Sequence, residues 1–93
     1  MTKILKISTG EEIIAGVEND ANGNYVLTKP HAIIMSREGL GMMPFGILAK
    51  DSKITIFKSH VVYDAVADDD LANEYNMKFG MGIVKPTMTI VGS

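Results

Sequence analysis

Over the first two thirds of this chain apolar residues recur at every second position and stop at short polar intervals, which restricts it to strands joined by tight turns. In KILKISTGEEIIAGVE, Leu5 and Ile7 alternate with Lys6 and Ser8, while Ile13, Ala15 and Val17 alternate with Glu12, Ile14, Gly16 and Glu18. The interruption at Thr9 to Glu11 predicts an antiparallel pair. From Asn19 to Asn24 an Asp, three Asn and a Gly crowd together, a composition suited to a hairpin turn. YVLTKPHAIIM then resumes with β-formers, and Pro30 marks an edge, a bend or a bulge in that third strand.

SREGLGMMPFGILAKDSK reads as a long hairpin with a bent strand in it, since glycines and charged residues punctuate the apolar MMPFGIL. KITIFKSHVVYDAV then places two β-branched runs on either side of Lys58, Ser59 and His60, a very short strand-to-strand junction. From Asp68 the period changes. Leu71, Tyr75 and Phe79 recur every fourth position with Ala72 beside Leu71, which predicts one helix. Asp68 to Asp70 supply its N-cap and complement its positive end, Lys78 suits the other end, and Gly80 is placed to stop it. GIVKPTMTIVGS returns to strand composition, with Pro86 favouring an edge or a bend. The expected architecture is mainly β: a small five-stranded barrel over residues 1–67, with a C-terminal helix and an extra strand over 68–93 packed on it as one domain.

A chain of 93 residues fits a single domain, and 46% hydrophobic against 22% charged residues argues for a globule. The absence of Cys removes disulfides, thiolate zinc sites and Cys nucleophiles together. No apolar run approaches the roughly 18 residues of a membrane span, and Lys3, Lys6 and Glu11 interrupt the start of the chain. These features give the expectation of a cytoplasmic protein. A formal charge of −2 provides no general field for phosphates, so any nucleic-acid contact has to be local.

Few constellations carry chemistry. Ser59, His60 and Asp64 lie within six positions on a junction and the strand after it, where neighbouring side chains point to opposite faces and no nucleophile, base and orienter can align. Asp68, Asp69 and Asp70 read as a helix cap rather than a cation site. Gly39 with Gly41, and Gly80 with Gly82, lack the strand-then-helix context of a phosphate loop. The seven Met residues serve as core filler, with an adaptable binding surface as the lesser reading. No catalytic residue, metal or cofactor is expected.

The order of residues resembles the Sm-like superfamily, the Sm, LSm and Hfq rings. Gly10, Ile13, Ala15, Val17, Asp20, Asn24, Tyr25 and Leu27 stand in the order of the first Sm motif, with Asp20 and Asn24 at its Asp-x-x-x-Asn spacing and one residue fewer between Gly and Asp. IFKSHVVY is similar to the second motif, with Lys58 and Ser59 where Arg-Gly stands, and Lys58 and His60 partly echo the Lys-His of Hfq. The likeness covers Lys3 to Val66. It departs in having no family-type helix ahead of Lys3, a helix and tail at the C-terminus instead, and no aromatic or His at Ala21 to Gly23 to stack a base. Small Sm-like chains with such a C-terminal addition resemble those of marine cyanophages, which would place the protein in a host cytoplasm.

The resemblance implies a non-enzymatic homo-oligomeric ring of about five to seven subunits. Its interface would pair the last two strands of neighbouring copies through Ile54, Ile56, Val61 and Val62. The family positions imply single-stranded RNA as a ligand, with Asn24 reading a base edge, Asp20 bracing the loop, Lys58 meeting a phosphate and His60 stacking or titrating nearby. A ring kept only for structure or protein interaction is the competing expectation. Read without the family, Asn22, Gly23 and Asn24 make a turn, His60 hydrogen-bonds its own loop, and the four apolar residues fill a monomer's core.

Overall fold

The computed structural model describes residues 1–79. β1 (Thr2–Ile7), β2 (Glu12–Asn19), β3 (Tyr25–Ser36), β4 (Gly39–Pro44), β5 (Lys53–Ile56) and β6 (Val61–Val66) form one sheet, followed by the helix α1 (Asp69–Phe79). All pairings are antiparallel, in the order β4-β3-β2-β1-β6, and β5 also pairs with β3, so residues 1–67 hold six strands where five were expected, because the segment after β3 supplies both β4 and β5. The bent strand and the KITI strand expected from the sequence share one edge of β3. β4 runs along Ser36 to His31, and β5 runs along Thr28 to Tyr25. Between them residues 45–52 leave the edge and return. Pro44 cannot donate to a ladder, and Gly46 turns the chain at φ +68, where an added Cβ would lie 3.1 Å from the Ile54 side chain.

Pro30 does not end β3; it sits in a bulge. Thr28 faces Gly16 and His31 faces Ile14, so Lys29 and Pro30 together oppose Ala15. Lys29 takes a left-handed conformation at φ 51, a conformation that side chains rarely adopt. The extra residue bends β3 and frees the Pro30 carbonyl to accept from the Phe45 N–H at 3.0 Å, which fixes where residues 45–52 depart.

β2 is buried on both faces, which explains why its alternation includes Ile14 among polar neighbours. Ile13, Ala15 and Val17 join Leu5, Ile7 and Leu27 in the core enclosed by the curled sheet. Ile14 faces the other way and meets Tyr75 and Ala67, with Leu71, Ala72 and Phe79 of α1 packed around them. Curling follows from connectivity, since β5 and β6 are joined only by residues 57–60, which span at most about 14 Å. Beside the core, Lys3 on β1 bonds Asp64 on β6 at 2.8 Å, and the Tyr25 hydroxyl of β3 donates to the same carboxylate at 2.7 Å. The Lys3 ammonium first, and the Tyr25 hydroxyl after it, hold the Asp64 carboxyl below the usual range.

α1 begins with Asp68 accepting from the Asp70 N–H at 3.2 Å, the cap expected from the acidic run. Leu71, Tyr75 and Phe79 form the packed face, as their spacing predicts. The buried Tyr75 hydroxyl donates to the Lys29 carbonyl at 2.7 Å, Phe79 stacks on His31 with ring centres 3.7 Å apart, and the Lys29 ammonium donates to the Phe79 carbonyl at 2.9 Å. That last contact places a cation at the negative end of the helix. Burial pushes the Tyr75 phenol up to about 12. Gly80 and the predicted C-terminal strand lie outside the described residues. No helix among the described residues is long and apolar enough to cross a membrane.

Candidate functional site

The turn between β2 and β3 closes as a three-residue loop. The Asp20 N–H donates to the Asn24 carbonyl at 2.9 Å, and the Gly23 N–H donates to the Asp20 carbonyl at 3.0 Å. Gly23 has φ +86, the left-handed residue that this loop type requires. The Asp20 Oδ1 accepts from the N–H groups of Asn22 and Asn24, both at 2.9 Å, and the Asn24 amide donates to Oδ2 at 3.4 Å. Chiefly through the Asn24 N–H, these bonds hold the exposed Asp20 carboxyl below the usual range. Asn19 adds bonds to the carbonyls of Gly23 and Asn24 at 3.3 and 3.4 Å.

The junction between β5 and β6 is a single 3-10 turn, Lys58–His60, and it is tied to this loop twice. The Lys58 N–H donates to Asn24 Oδ1 at 3.0 Å, and the Lys58 ammonium donates to the Asn22 carbonyl at 2.8 Å. The lysine side chain lies over Gly23, where an added Cβ would come within 3.4 Å of it. Asp20, Asn24 and Lys58, separated by up to 38 positions in the sequence, therefore form one hydrogen-bonded unit. An exposed ammonium is held at a fixed place with donors to spare for an anion. Asn24 meanwhile commits both ends of its amide to the protein.

His60 stands apart from this unit. Its Nδ1 lies 3.2 Å from the Ser8 hydroxyl, and its carbonyl accepts from the Ser8 N–H at 2.8 Å, so it fastens the junction to the turn between β1 and β2. Of the residues expected at an interface, Ile54, Ile56 and Val61 pack against the core, whereas Val62 is 65% exposed. What the strands offer outward is backbone: among the described residues β5 pairs only with β3 and β6 only with β1. β6 also exposes Val66 and part of Tyr63.

Two participants were missed in the sequence. The Asn22 carbonyl anchors the Lys58 ammonium, a backbone contact that no residue type announces. Phe57, directly before Lys58 in the chain, is an aromatic side chain left 61% exposed; nothing in the sequence assigned it a role. No protein-family model matches this chain, and no curated protein matches it either.

Proposed function

We propose that this protein is a non-enzymatic, Sm-like ring of about five to seven copies that binds single-stranded RNA at the turn and junction around Lys58. The observation that carries the reading is the double tie of Lys58 to the Asp20–Asn24 loop. It joins the two segments that carry the motif resemblance and holds a cation between two strands whose outer edges are unpaired among the described residues. A free edge invites another chain, and the unlike edges of β5 and β6 suit a head-to-tail contact that repeats around a ring. Repetition would gather one Lys58 per copy into a positive circle despite the acidic total. The exposed Phe57, next to Lys58 in the chain, would offer a base a stacking surface, in place of the aromatic absent from Ala21 to Gly23. A cytoplasmic location, in a host cell if the chain is phage-encoded, belongs to the same proposal.

A ring that serves structure or protein interaction is the second reading, and Asn24 favours it. With its amide bonded to Asp20 and to Lys58, it is a brace first and a base reader only through its remaining capacity. Labelled oligo(U) and oligo(A), titrated at rising salt, separate the two readings. RNA binding through Lys58 predicts affinity that falls steeply with salt and is lost in Lys58→Glu; an assembly that leaves both oligonucleotides unshifted at low salt contradicts the RNA reading and leaves the interaction ring.

A further inference from the structure

We propose that Asn22 is a site of spontaneous deamidation, set up by Lys58, that ages the Lys58 site in place. Asn22 is exposed and followed by Gly23, which has no side chain of its own to hinder its nitrogen from attacking the carboxamide. The bonds of this loop engage the Asn22 N–H and C=O and none of them engages its carboxamide.

The reaction balances without an oxidant or a reductant. The Gly23 nitrogen loses its proton to hydroxide and attacks Asn22 Cγ. The N–Cγ bond forms, the Cγ–Nδ2 bond breaks, and ammonia leaves with a proton from solvent. Water then opens the cyclic imide at either carbonyl, giving aspartate or isoaspartate at position 22.

Lys58 enters at the first step. Deprotonating the Asn22–Gly23 peptide puts negative charge on the Asn22 carbonyl oxygen, the atom that the Lys58 ammonium already touches at 2.8 Å. A charge-assisted bond strengthens as its acceptor gains charge, so the lysine favours the reactive anion. The opposing feature is the Gly23 N–H bond to the Asp20 carbonyl at 3.0 Å, a neutral bond of the weaker kind.

The product feeds back on the same cation. Either outcome sets a carboxylate beside Lys58, and isoaspartate also lengthens the backbone inside a loop closed by Asp20. In isoaspartate the former main-chain carbonyl that the ammonium now touches becomes the free carboxylate, in aspartate the side chain does, and in both the local positive charge is neutralised. This consequence rests on the RNA reading; the chemistry does not.

The test incubates the full chain in mildly alkaline buffer and follows intact mass and a peptide digest, alongside Asn22→Gln and Lys58→Met and with the unfolded chain as reference. The expected result is conversion at position 22 with isoaspartate in the digest, none in Asn22→Gln, and conversion slowed about two- to fivefold in folded Lys58→Met, the scale of one exposed charge contact. Equal slowing of Lys58→Met in the unfolded chain would show that the folded contact is not the cause and would overturn the proposal. So would no conversion at position 22 of the folded protein while the unfolded reference converts. Mass is read without RNA, so a failed RNA titration leaves this result standing.

Discussion

The underside of α1 and the loop around Lys58 both fasten one segment of chain to another, and they do so by opposite means. Beneath the helix, Ile14, Ala67 and Tyr75 are buried, and the few polar contacts sit within that apolar packing. Around Lys58 nearly everything is exposed, and the fastening is a chain of hydrogen bonds through Asp20, Asn24 and Asn22. Burial supplies stability that no ligand can use, because its groups are hidden. Exposed hydrogen bonds add little net stability, yet they hold a charge where a ligand can reach it. The contrast leaves a fixed, reachable charge at the turn and buried packing at the helix.

Replacing Tyr75 with alanine strikes the buried side and carries the largest expected effect. Removing a fully buried aromatic costs about 3–5 kcal/mol, and in a domain of this size each kcal/mol lowers Tm by about 4–8 °C. Thermal unfolding checks it. Tyr75→Phe keeps the ring and removes only the hydroxyl that meets the Thr28 and Lys29 carbonyls, for an expected loss of about 1–2 kcal/mol. A loss as large as that of alanine would mean that the bulge at Lys29 depends on this one bond.

On the exposed side, Asn24→Ala removes the bonds to Asp20 and to the Lys58 N–H and should cost at most about 1.5 kcal/mol. Its larger effect is expected in oligonucleotide affinity, measured at low salt, because Lys58 loses its brace. A collapse in stability with affinity unchanged would reverse the assignment of roles. The smallest effect is acid sensitivity. Asp20 and Asp64 both have folded pKa values lowered from 3.8, so their contribution is present above that value and is lost as pH falls through the lower folded values. Chemical denaturation across the acid range should show stability declining there, with Asp20→Asn removing part of the decline.

Much of this was legible because period and turn chemistry act locally. The alternation in β1 and β2, the Asn-rich turn, the short Lys58–His60 junction and the four-residue spacing of Leu71, Tyr75 and Phe79 each state a local geometry that the structure contains. Asp20, Asn24 and Lys58 were singled out through their resemblance to a motif, and the structure brings them together. What escaped depends on the third dimension. Pro30 signals a bend, but only the opposing Ala15 makes it a bulge, and only a helix arriving from position 69 onward gives Lys29 and His31 their partners. Ser8 meets His60 across the sheet and Phe57 is left exposed; neither fact is carried by the residue types.

The central claim is that copies of this chain join through the edges of β5 and β6 into a ring that presents Lys58 repeatedly. Absolute mass in solution, by light scattering on a sizing column, tests it most directly. A single species of about five to seven copies of the 10.1 kDa chain is the predicted result, and a stable monomer across concentrations would contradict it.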